Sequence, residues 1–158
     1  VSETDKPQIG FTGTRHGMTA AQREAVARLL DELAPAAFVG HHGDCVGADA
    51  EFHALCRTRP GSVLVIHPGP VSDREHQAGC LGDDLREALP HMRRNKNIVL
   101  ASTVMIAAPF EDAEQDYGGT WKTIGMARKA RRPLAILQRS GRVIRERWEA
   151  LVGPVTSG

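Results

Sequence analysis

Val104-Met105-Ile106-Ala107-Ala108-Pro109, followed by Tyr117-Gly118-Gly119-Thr120-Trp121, is the stretch that decides the fold. The apolar run is short and stops at a proline, as a buried strand does. A polar loop comes next, then a glycine turn, then a segment whose spacing predicts a helix over 120–130. Strand, glycine turn and helix in that order aim backbone N–H groups at an anion. The same order recurs at residues 9–15 and 38–49. Three such turns in a chain of 158 residues point to a ligand of nucleotide size.

Outward from that stretch the pattern alternates. Gln8-Ile9-Gly10-Phe11-Thr12 reads as a first strand. Thr19, with Gln22 three residues on, forms a capping box, and Val26, Leu29, Leu30 and Leu33 predict a helix over 20–33. Ala37-Phe38-Val39-Gly40 is a short second strand. Phe52, Leu55 and Cys56 give the next helix its apolar face, until Pro60-Gly61 ends it. Ser62-Val63-Leu64-Val65-Ile66 is continuously apolar and β-branched, which suits a parallel strand covered on both faces. Residues 68–90 are polar, turn-rich and without a core face, the pattern of a lid or mobile segment. A helix over 92–100 and a strand over 134–137 follow, and 142–152 reads equally as a helix or as a strand and turn. The alternation predicts an α/β, Rossmann-like fold: a doubly wound, mainly parallel sheet of about five or more strands flanked by helices. Right-handed crossovers then place the glycine turns at the carboxyl ends of the strands.

Composition sets the outer limits. The length suits one domain over 1–158, with flexible ends expected at 1–7 and 153–158. Only 4% of residues are aromatic, so the core is built from Ala, Val, Leu and Ile. A formal net charge of +1 gives no support for broad electrostatic binding to nucleic acid or membrane. No apolar run is long enough to span a bilayer, and the first residues are polar with no secretory core. Cys45, Cys56 and Cys80 are odd in number and lack C-x-x-C spacing, which fits a reducing, cytoplasmic setting.

Each turn offers candidate ligand contacts. In the first, Gly13 lets backbone approach a ligand, Thr14 offers a hydroxyl and Arg15 a bidentate grip on phosphate. In the second, Gly43, Asp44, Gly47 and Ala48 shape the loop at a helix N-terminus. Asp49 there accepts a ribose hydroxyl or fixes the loop, and shares a face with His53. In the third, Gly118, Gly119 and Thr120 lead into a helix that Thr120 can cap, with Thr123 one turn on. Trp121 packs on the sheet edge or stacks on a base. Between the last two turns, Arg94 and Asn95 either lie on a solvated basic face or point inward beside the ligand. His41, His42, Cys45, Asp49 and His53 carry zinc-type donors, but no pair has a zinc-site spacing, so no metal and no cofactor are expected.

Taken together, Gly13-Thr14-Arg15, the Gly43–Asp49 loop with His53, Arg94-Asn95 and Gly118-Gly119-Thr120 resemble the SLOG superfamily of DNA-processing and Lonely Guy proteins. The chain is most similar to its small stand-alone YpsA-related bacterial branch. The resemblance implies a Rossmann-like fold that binds a nucleotide or nucleotide-derived ligand, and a homodimer or larger assembly. Lonely Guy enzymes cleave a nucleoside monophosphate to free base and ribose 5-phosphate, with a P-G-G-x-G-T-x-x-E signature and an upstream Arg. Here that Arg corresponds to Arg94 and the glycine pair to Gly118-Gly119, after an insertion over 110–117. The positions of the signature's second Gly, its Thr and its Glu read Trp121, Lys122 and roughly Gly125. N-glycosidic cleavage needs a carboxylate, so Asp44, Asp49, Glu111, Asp112, Glu114 and Asp116 are the available substitutes.

Three functions compete. The first is binding of a nucleotide-like small molecule for sensing or signalling. The second is a nucleotide phosphoribohydrolase with Arg94 on the phosphate and Asp49 or an insertion carboxylate as catalyst. The third, single-stranded DNA binding, is opposed by the near-neutral charge and scarce aromatics.

Overall fold

A computed structural model describes residues 5–151. Its strands are β1 (Gln8–Gly13), β2 (Val39–His42), β3 (Val63–Ile66), β4 (Asp84–Leu85), β5 (Val104–Ala108), β6 (Leu134–Leu137) and β7 (Val143–Glu146). Its helices are α1 (Ala20–Leu33), α2 (Ala48–Arg57), α3 (His91–Ala101) and α4 (Gly119–Lys129). One sheet holds the strands in the order β4-β3-β2-β1-β5-β6-β7, parallel throughout except for the antiparallel β6–β7 pair. This is the doubly wound α/β sheet that the alternation predicts.

Alternating side chains of β5 explain the layers. Val104, Ile106 and Ala108 face a core built with Ala25, Val26, Leu29 and Leu30 of α1 and Phe52 of α2. Met105 and Ala107 face Ile98 and Val99 of α3 and Ile124 and Ala127 of α4. Both faces of β5 are therefore covered, which is why its sequence is apolar throughout.

β1 pairs with β2 on one side and β5 on the other, with Gly13 opposite Ala108. The chain winds outward through β2, β3 and β4, then returns to β5 and winds the other way. The order reverses between β1 and β5. At such a switch point an open α/β sheet leaves a crevice beyond the carboxyl ends of its strands.

Thr19 and Gln22 form the reciprocal capping box that starts α1. The ambiguous stretch from 142 is a strand and a 3₁₀ turn, Trp148–Leu151. The long polar segment departs from a bare loop: it holds a 3₁₀ turn, Val71–His76, and β4 at the sheet edge. β4 is exposed and two residues long, too short for any periodic signal. Residues 1–4 and 152–158 lie outside the described residues, and with them all of the flexible end expected at 153–158 and part of that at 1–7; the Pro7 carbonyl accepts a hydrogen bond from Val39 N–H at 2.8 Å. No described helix is long and apolar enough to cross a membrane.

Candidate functional site

A cavity of about 470 Å³ opens at the switch point. It lies within the size range of small-molecule sites. Gly13, Thr14, Arg15, Gly43, Asp49, Arg94, Asn95, Gly118, Gly119 and Thr120 line it. Asp44, Gly47, Ala48 and Thr123 do not.

The three glycine turns differ in what surrounds them. A Cβ on Gly13 would meet the Ala48 Cβ at 2.5 Å, and one on Gly43 would meet Arg94 Nη1 at 2.5 Å. Gly47, at φ +86°, lies so close to the first turn that a Cβ would meet Arg15 O at 2.3 Å. Ala48 N–H donates to Thr14 O at 3.0 Å, locking the two turns together. These glycines make room for protein.

The second turn also uses its own donors. Asp49 Oδ2 accepts from Gly43 N–H and Cys45 N–H, each at 3.2 Å. Asp44 N–H donates to His42 Nδ1 at 3.0 Å, and Val46 N–H to His76 O at 2.9 Å. Asp49 thus fixes the loop. Burial pushes its carboxyl up to about 6, against the pull of Cys45 N–H, the Arg94 charge and Gly43 N–H. Asp44 binds the long polar segment instead, accepting from Cys80 N–H at 2.8 Å and Gly79 N–H at 3.2 Å.

The third turn is open. Around Gly118, at φ +88°, and around Gly119, a Cβ would meet nothing within 4 Å. Gly118 is the N-cap of α4 and no side chain caps the helix, so Thr120 lies inside the first turn instead of at the cap. The first turn holds no acidic residue. The first N–H groups of a helix lack intrahelical partners and carry its positive end. Here those of Gly119, Thr120 and Trp121 have no partner among the described residues. Thr123 is buried and donates its hydroxyl to Gly119 O at 2.7 Å, a bond internal to the helix.

Arg94 points inward, but its donors are committed. Nε donates to Asn95 Oδ1 at 2.6 Å, and Nη1 to Gly43 O at 2.8 Å and His67 O at 3.2 Å. Nη2 donates to His91 Nδ1 at 3.1 Å and to the Cys45 sulfur at 3.7 Å. A guanidinium has five N–H groups, and these bonds account for all of them. Arg94 lends the cavity positive potential while serving as a tie between β2, β3 and α3.

Arg15 is freer. Its side chain is 46% exposed and its only ion pair among the described residues is a 3.4 Å contact with Asp73. Asp73 is held more closely by His76 at 2.6 Å and His91 at 2.9 Å. Sequence reasoning missed His91, although its position three residues before Arg94 on one helix is the spacing that makes them neighbours.

Of the zinc-type donors, His42 and His53 converge, joined by Cys80 within 4.8 Å. His41 bonds Gln8 and His67 instead, at 2.7 and 2.9 Å. His42 accepts Asp44 N–H on Nδ1, so its proton sits on Nε2, 2.8 Å from His53 Nδ1. A neutral imidazole ligating through Nε2 would need the opposite tautomer. Cys45 is a poor nucleophile: burial, then Asp49, pushes its thiol up to about 12. Trp121 packs with α3 and α4 and donates Nε1–H to Glu111 Oε1 at 3.1 Å, on the cavity wall.

The fold and cavity define a doubly wound α/β protein with a small-molecule-sized crevice at its switch point. No protein-family model and no curated protein matches the sequence. Among solved structures, the chain is similar to the molybdenum cofactor binding protein of the phototrophic bacterium Rippkaea orientalis, with a TM-score of 0.60 and 21% identity over 83% of this chain and 76% of that one. It is similar also to the molybdenum cofactor carrier protein of Chlamydomonas reinhardtii, with a TM-score of 0.57 and 18% identity over 83% and 76% of the two chains. At these identities the likeness establishes the fold.

Proposed function

We propose that the cavity binds a small, nucleotide-like ligand through its phosphate or an equivalent anion, without turnover, as a sensor or carrier does. The observation that carries this is the open Gly118-Gly119-Thr120 turn. It combines an uncapped helix N-terminus, N–H groups unpartnered among the described residues and empty space beside both glycines. Arg15 supplies a half-exposed positive charge on the same cavity. The SLOG resemblance supports the nucleotide part of the reading. The solved structures of this fold named for binding or carrying the molybdenum cofactor add that cofactor to the candidate ligands. The expected homo-oligomer is checked by light scattering.

Isothermal titration with inorganic phosphate, nucleoside monophosphates and molybdenum cofactor tests the reading. Gly119→Asp places a carboxylate in the open space, so it should weaken binding at least about tenfold by charge repulsion. Its unfolding midpoint should stay near that of the parent. Absence of binding by every probe, or unchanged binding by Gly119→Asp, sinks the reading.

A hydrolase reading rests on Glu111. It lines the cavity, and one of its carboxylate oxygens has no partner among the described residues. Asp49 is tied to the loop, so release of free base should survive Asp49→Asn and vanish in Glu111→Gln. No release from any nucleoside monophosphate removes this second reading.

A further inference from the structure

The mouth of the cavity carries an aromatic side chain that the fold does not use. The chain has four Phe, two Trp and one Tyr. Phe11, Phe38 and Phe52 are fully buried, Trp121 packs with α4, and Trp148 lies against Arg145. Phe110 and Tyr117 remain exposed, and both line the cavity. The Phe110 ring already has company, with His16 at 4.8 Å and Arg139 at 5.0 Å. Tyr117 is 60% exposed and has no hydrogen bond or ring contact among the described residues.

The segment that presents Tyr117 is braced. Glu111 accepts from Trp121, Asp112 Oδ1 accepts from Arg139 N–H at 2.7 Å, and Glu114 pairs with Arg128. Tyr117 is also followed directly by the open glycine turn. We infer that Tyr117 is the ring-binding residue of the site: it stacks on the flat face of an aromatic heterocycle whose anionic end sits on the α4 N-terminus. This rests on the reading of that N-terminus as the anion site. Adjacent residues then serve both ends of one ligand, within roughly 10 Å along the chain. Stacking on an exposed aromatic buries apolar ring surface and is tolerant of which base is presented.

The test compares ribose 5-phosphate with AMP, GMP, CMP and UMP by titration calorimetry. In the parent protein at least one nucleotide should bind about tenfold or more tightly than ribose 5-phosphate. Tyr117→Ala should erase that preference and leave the affinity for ribose 5-phosphate unchanged, while Tyr117→Phe retains it. The exposed position makes all three proteins foldable, which a thermal melt verifies. Nucleotides that bind no better than ribose 5-phosphate, or a preference that persists in Tyr117→Ala, overturn the stacking role and leave the anion site standing. If neither the sugar phosphate nor any nucleotide binds, the anion site falls and the stacking role with it.

Discussion

Arg94 shows how a residue with the look of a ligand contact can be consumed by the fold. Its guanidinium joins carbonyls of Gly43 and His67, 51 and 27 residues away in sequence. Replacement by lysine keeps the charge but not the planar fork, leaving buried acceptors short of donors. Arg94→Lys should therefore lower stability by about 3 kcal/mol or more, read from the urea midpoint. Unchanged stability with weakened ligand binding would make Arg94 a ligand residue after all. Its inward direction was one of two readings the sequence allowed. What it would meet there was hidden, because its partners are backbone groups of distant loops that have no side-chain signature. Asp49 was more legible, because the amides it holds lie four and six residues before it.

Helices and strands with a periodic apolar face could be read almost to the residue, as α1 shows. The three glycine turns could not be told apart, because a glycine that admits a ligand and one that admits a neighbouring loop are written alike. A substitution series separates them. Gly47→Ala meets both a left-handed φ and the Arg15 carbonyl, so it should be the most destabilising. Gly118→Ala meets only the backbone strain, about 1–2 kcal/mol. Gly119→Ala meets neither and should match the parent or exceed it slightly. Thermal melts of the three proteins check the order, and a Gly119→Ala as damaging as Gly47→Ala would show that the third turn is packed, not open.

Across the whole molecule, buried histidines tie stability to pH. Burial lowers His41 to about 4 and His42 and His67 to about 3. The unfolded chain takes up protons at these positions near pH 6.5, so between about 6.5 and 3 it holds more protons than the folded chain. Their contribution is complete above about pH 6.5 and is lost as the pH falls through that window. Asp49 acts with the opposite sign: its raised value favours the folded form as pH falls from about 6 toward 4. Three groups against one predict a net loss, so the melting temperature should drop between pH 7 and 5. A flat profile would show that the histidines exchange protons freely with solvent in the folded state. The locked contact between the first two turns has a separate kinetic consequence. With Ala48 N–H on Thr14 O and Gly47 against Arg15 O, that side of the cavity is a rigid jaw. The opposite side is braced by side-chain bonds of Glu111, Asp112 and Glu114, of which the exposed Glu114–Arg128 ion pair is the one salt can loosen, and it is the jaw that yields. Entry and escape should pass there, so salt should shorten a ligand's residence time by loosening that pair.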